Sequence, residues 1–273
     1  MKCYLTSLCL LLTLNYAWAD RFRSRIYEIE RGKPHLVKME NGRVVFVKRD
    51  RELSKLMQLR HQLIEVEVGP TQDLLAFENK GYISSESNPL FLMQEKDPSQ
   101  PFEPTVLPDN ASASTIFARM NRRWQNDSQC YNRAHVWAVE EFNRTKLNSI
   151  KLFLFFTNRY IRNYRYKWWF HVSPMVLVQE GGFVTEKVLD RRFTRSPLAI
   201  KNWTRNFIYS GRTCPVINKY SEYRYNQQVE DCYLIPVTMY FWQPRDIDRF
   251  ERMGLEKKSF IKSEVDWAYW EAF

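Results

Sequence analysis

Two short apolar runs, Leu36 to Met39 and Val44 to Val47, flank Asn41-Gly42, a dipeptide suited to the two positive φ angles of a tight hairpin. Leu53, Leu56, Met57, Leu59, Leu63 and Ile64 then recur at helical spacing, and Val66-Glu67-Val68 and Leu74 to Phe77 read as further strands. Residues 20–83 therefore predict a small α+β or barrel-like module, with no residue cluster that suggests chemistry. Residues 84–109 carry five prolines and no sustained periodicity, which predicts a linker.

Beyond the linker the pattern is helix first and strands afterwards, an α+β order for residues 110–273. Ser114 is placed to cap a helix over 115–124, and Asp127 or Ser128 to cap one that runs from Cys130 to Phe142. Strand-like stretches follow at 151–157, 167–178 and 185–190. Helical signals close the chain at 246–253 and, capped by Ser263, at 264–273.

Residues 1–19 depart from this picture. Lys2, the apolar stretch Leu5 to Leu14 and the small-x-small site Ala17-Trp18-Ala19 match the three parts of a signal peptide, with cleavage before Asp20. Thr6, Ser7, Thr13 and Asn15 interrupt a run already shorter than the ~20 residues that a transmembrane helix needs. An exported protein without stable membrane insertion, periplasmic or secreted, is the expectation. Without the leader, 41 basic residues less Lys2 against 31 acidic ones give a formal charge of +9. Acids are interspersed among the basic residues, and there is no long basic run or RNA-binding signature, so nucleic acid is not the expected partner.

Export makes the cysteines informative. Cys3 and Cys9 leave with the leader, and Cys130, Cys214 and Cys232 remain, an odd number for an oxidising compartment. Cys214 and Cys232 flank a polar, tyrosine-rich stretch and are the natural pair. Cys130 is left at a predicted helix start, where unpaired amides and the helix dipole favour a thiolate.

A cysteine nucleophile needs a base, and the chain has four histidines. His35 and His61 belong to the N-terminal module. His135 lies five residues from Cys130, roughly 140° around a helix axis, so packing or hydrogen bonding suits it better. His171 remains, on a strand whose alternation puts Trp169, His171 and Ser173 on one face. Trp169 and Ser173 are thereby candidates for the walls of a substrate groove. Asp190 ends the next apolar run, Val188-Leu189-Asp190, where its carboxylate can orient the imidazole. Asp127, Glu140, Glu141 and Asp231 lack that placement.

Cys130-Tyr131-Asn132-Arg133-Ala134-His135 resembles the C-[YF]-x-R-A-H segment around the nucleophile of the protein glutaminases. Trp169 to Val172 is similar to that family's histidine strand, and Val188-Leu189-Asp190 to its aspartate strand. The resemblance covers roughly residues 110–210. It implies a papain- and transglutaminase-like core, in which a helix bearing the cysteine packs on an antiparallel sheet, with Cys130, His171 and Asp190 as the catalytic triad. It also implies hydrolysis of protein-bound glutamine through a thioester, a protein or peptide partner, and neither metal nor organic cofactor. The N-terminal module falls where the family carries a pro-segment, although its own hairpin and helix also suit a docking domain. Amine transfer, a papain-fold amide or peptidoglycan hydrolase, and a non-catalytic envelope interaction protein with an aromatic binding face remain the alternatives.

Overall fold

The computed structural model describes residues 19–81, 102–125 and 128–273, so the leader, most of the linker and the Asp127 cap lie outside the described residues. The N-terminal module holds six strands: β1 (Asp20–Ser24), β2 (Ile26–Glu30), β3 (His35–Met39), β4 (Val44–Val47), β5 (Ile64–Val68) and β6 (Leu74–Asn79). They form two three-stranded antiparallel sheets, β1-β5-β6 and β2-β3-β4, with helix α1 (Asp50–Gln58) between β4 and β5. The predicted hairpin is β3–β4. Of its two turn residues only Gly42 takes a positive φ, +88°. The Gly42 amide donates to the Met39 carbonyl and the Arg43 amide to the Asn41 side chain. A three-residue loop with one left-handed glycine thus replaces the expected two-residue turn.

Every residue of β3 and β4 is buried, because the hairpin lies between two cores. Val37, Met39, Val45 and Val47 point into the module's own core with Leu53, Ile64 and Val66. Leu36, Val44 and Phe46, on the opposite face, belong to the core of the C-terminal body together with Phe153, Phe155 and Phe170. The module is fused to that body through shared apolar packing.

The C-terminal body is built on a five-stranded sheet. Strands β10 (Phe183–Val188), β9 (Phe170–Glu180), β8 (Ile150–Phe156) and β11 (Cys232–Thr238) run antiparallel in that order. The short β7 (Val106–Leu107) pairs parallel with β9, so part of the segment expected to be linker is a strand of the sheet. Helices α2 (Asn110–Arg119) and α3 (Cys130–Thr145) supply Ile116, Phe117 and Trp137 to a core against Val176 and Val178 of β9. The helices α4 (Asn158–Tyr164), α5 (Ile200–Thr204), α6 (Tyr220–Tyr225), α7 (Pro244–Met253) and α8 (Lys262–Ala272) complete the order. The fold is mixed α+β, as expected.

Helix starts are where the expectations shift. Asp109, not Ser114, caps α2, its carboxylate accepting from the Ser112 amide at 2.7 Å. The side chain of Ser128 accepts from Arg133 instead of capping α3, and α8 begins at Lys262 without a side-chain cap rather than behind Ser263. Cys214 and Cys232 form the expected disulfide, which ties the first residue of β11 to the loop between α5 and α6, while Cys130 stays free. Among the described residues no helix is long and apolar enough to cross a membrane.

Candidate active site

Cys130 is the first residue of α3, and its side chain meets His171 near the start of β9. The register that pairs Leu154 of β8 with His171 fixes the histidine deep in the sheet. The His171 Nε2–H donates to Asp190 Oδ2 at 2.6 Å, which leaves Nδ1 for the Cys130 sulfur. Asp190 sits two residues past β10, where the Leu189 amide bonds the Pro174 carbonyl and draws the loop back over β9. Trp203 Nε1, on α5, donates to the same carboxylate oxygen at 2.8 Å. The rings of Phe207, Phe193 and Trp203 surround the imidazole at centroid distances of 4.6, 5.1 and 5.7 Å. Cysteine, imidazole and carboxylate therefore lie in one chain of hydrogen bonds.

The electrostatics follow from this geometry. Burial opposes charge on all three groups, yet the contacts of each shift it toward its charged form, with His171 acting on both Cys130 and Asp190. Burial alone pushes the Cys130 thiol up, but the hydrogen bond and charge of His171, the charge of Arg133 and the Val172 amide bring it below the ordinary thiol value. For His171, burial is outweighed by the Asp190 carboxylate and by Cys130, and its pKa rises to about 9. Asp190 is held below the usual carboxylate range against its own desolvation by His171, Trp203 and Arg133. The shifts on Cys130 and His171 both favour a thiolate beside an imidazolium, and the N-terminus of α3 favours the thiolate in the same sense.

A cleft of about 1320 Å³ opens onto this pair. Cys130 and His171 lie along it with Arg192, Phe193 and Phe207 of the C-terminal body, and Phe22 and Arg43 of the module form part of the facing wall. Among the described residues no group of three or more His, Cys, Asp and Glu side chains is disposed to hold a metal ion.

The other expected site residues lie elsewhere. Trp169 is 1% exposed; its ring stacks on Tyr27 and its Nε1–H donates to the Met39 carbonyl at 2.8 Å, so it joins the module to the body and does not line the cleft. Ser173 is also buried and is not among the cleft residues. Trp168 faces the cleft instead, because the chain leaves β9 before Phe170 and Trp168 bridges to Arg43 of the module. That exchange breaks the strand alternation assumed from Lys167 onward. His135 is fully buried, with Nδ1 at 2.6 Å from Lys151 Nζ, and Lys151 also donates to the Phe241 carbonyl.

Three contributors were not singled out from the sequence. Trp203 holds the back of Asp190, the Val172 amide bonds the sulfur, and the Arg133 guanidinium bonds both the carbonyl and the hydroxyl of Ser128, fixing the turn that enters α3. Arg133 stood in the motif itself. Nothing local marked Trp203, which long-range folding brings to the aspartate.

Residues 108–207 match the family model Gln_deamidase_2, described as glutaminase, a segment that spans Cys130, His171 and Asp190. Among solved structures, the crystal structure of a mutant pro-protein-glutaminase has 14% identity and a TM-score of 0.50, over 84% of this chain and 86% of that one. The crystal structure of pro-protein-glutaminase has 13% identity and a TM-score of 0.46, over 82% and 84%. No curated protein sequence matches the chain. The first structural likeness is one of fold. The family match bears out the resemblance to protein glutaminases and relates the chain to that family through residues 108–207.

Proposed function

From a chain related to the protein glutaminases through the segment that holds its cysteine, histidine and aspartate, we infer an exported cysteine hydrolase that deamidates protein-bound glutamine. The observation that carries this reading is the hydrogen-bonded series Cys130, His171, Asp190 at a helix N-terminus, open to a cleft. Cys130 on α3, packed against β9, also suits a papain- and transglutaminase-like core.

The Cys130 thiolate attacks the side-chain carbonyl carbon of glutamine, forming a C–S bond and a tetrahedral oxyanion. Amides at the start of α3, which have no partner within the helix, are placed to receive that oxygen. His171 gives its proton to the amide nitrogen, the C–N bond breaks, ammonia leaves and a thioester remains. The neutral imidazole then takes a proton from water as the oxygen attacks and the C–S bond breaks, which gives thiolate, imidazolium and a glutamic acid side chain whose carboxyl proton passes to solvent. Asp190 keeps the ring oriented and stabilises its charge throughout.

Export is supported by the Cys214–Cys232 disulfide, since such bonds persist in oxidising compartments. The N-terminal module acts as a permanent part of the mature enzyme, because its hairpin completes the catalytic core and the cleft reaches Cys130 with the module in place.

Steady-state ammonia release tests the reaction. Glutamine within a protein should be turned over far faster than free glutamine, and added primary amine should be incorporated poorly. The value of kcat/KM should fall as pH rises through about 9, because the raised His171 pKa marks the loss of the proton that the leaving ammonia needs. Equal turnover of free glutamine contradicts the protein substrate, and efficient amine incorporation points to transfer instead of hydrolysis.

A further inference from the structure

Resting on the glutaminase reading, we propose that the cleft selects glutamines that neighbour an acidic residue, whose carboxylate is taken by Arg43, Lys167 and Arg192. Basic side chains outnumber acidic ones along the cleft by seven to three among the described residues that line it. Arg21 and Arg23 are already paired with Glu67 and Glu65 on the neighbouring strand, so the charge facing a ligand lies in the inner cluster.

Arg43 is 9% exposed, and its guanidinium lies between the rings of Phe22 and Trp168, 4.7 and 5.3 Å from their centroids. Stacking of this kind holds the planar group in one orientation and leaves its edge for an anion. One edge nitrogen bonds Asp20 and, at 3.4 Å, Gln72, while the buried Nε has no hydrogen-bond partner. Lys167 lies beside it, close enough to Arg43 and Arg192 that, after burial, their charges lower its pKa against the opposing pull of Asp20. Arg192 carries the cluster toward the nucleophile, since it follows Asp190 by two residues and reaches Ser128 just before α3. Arg43, Lys167 and Arg192 thus all line the cleft onto which Cys130 opens.

Asp20 indicates what this arrangement accepts. Its side chain is 52% exposed at the first residue of β1, and its carboxylate meets Arg43 at the edge of the cleft. A carboxylate from a bound peptide is the external counterpart of that group. Charge of one sign in a low-dielectric groove also concentrates ligands of the other sign and penalises basic ones.

The test uses the mature protein and three peptides of equal length, each with one glutamine flanked by glutamate, alanine or lysine, with kcat/KM read from ammonia release at low and high salt. The glutamate peptide should exceed the alanine peptide by about tenfold, the lysine peptide should be slowest, and the spread should narrow as salt screens the cluster. Lys167→Gln should reduce the glutamate-to-alanine ratio. Lys262→Gln, which removes a charge from a side chain 88% exposed on α8, should leave that ratio as it was. Equal kcat/KM for the three peptides, or a ratio that Lys167→Gln does not change, overturns the proposal while leaving the glutaminase reading intact. No ammonia from any peptide contradicts the reading itself, and the proposal falls with it.

Discussion

Asp190→Asn is expected to lower kcat/KM for protein-bound glutamine by about 10⁴-fold, the scale seen when an orienting aspartate in a triad becomes an amide. The carboxylate accepts from both His171 Nε2 and Trp203 Nε1. Asparagine can keep the tryptophan bond through its carbonyl oxygen, but it removes the negative charge that raises the His171 pKa and favours the opposite tautomer. The imidazolium that protonates the leaving nitrogen is then lost before the cysteine is. Alkylation of Cys130 should remain possible in this variant but shift to higher pH, since the thiolate loses its cationic partner. Activity within a few-fold of the unchanged protein would assign the orienting role elsewhere.

Phe46→Ala should destabilise the folded protein by about 3–5 kcal/mol, read from the midpoint of urea denaturation. Phe46 is 1% exposed and belongs to the catalytic core although it comes from the N-terminal module. The Arg165 guanidinium lies over its ring at 4.0 Å, and its amide bonds the Gln72 carbonyl, so the cavity left by truncation has little freedom to collapse. The loss should appear in a single transition that includes the C-terminal body. A separate early transition confined to the module, with the body unaffected, would contradict the shared core and restore the module to the status of a removable segment.

How far these features were legible in the sequence depends on how local their causes are. The β3–β4 hairpin declared itself because Leu36 to Met39 and Val44 to Val47 are apolar at nearly every position, as a hairpin buried on both faces requires. By contrast, β1 was invisible: Arg21 and Arg23 break the apolar pattern, and its strand form comes from pairing along β5, where Glu67 and Glu65 lie opposite the two arginines. Helix α4 was hidden by the aromatic residues around it, although Thr157 caps it by accepting from the Tyr160 amide. Cap choices failed where several polar side chains compete, as when Ser128 is recruited by Arg133.

The site divides in the same way. Cys130, His171 and Asp190 could be proposed from helix start, strand position, chain order and the family motif, and the fold brings these three together. Trp169 lies outside the cleft because the chain pairs with the module before β9 begins, whereas Ser173 keeps the alternation of β9 but is buried within the body. Trp203 and the Arg43 cluster depend on contacts across long stretches of chain, which no local pattern records.

Incubating a defined glutamine-containing protein with the purified mature enzyme or with Cys130→Ala, and following ammonia release and substrate mass together, tests whether Cys130 carries the deamidation. The active protein should release one ammonia for each glutamine converted to glutamate, and Cys130→Ala should release none above the uncatalysed background while retaining its fold. Undiminished ammonia release by Cys130→Ala would contradict the cysteine-hydrolase account.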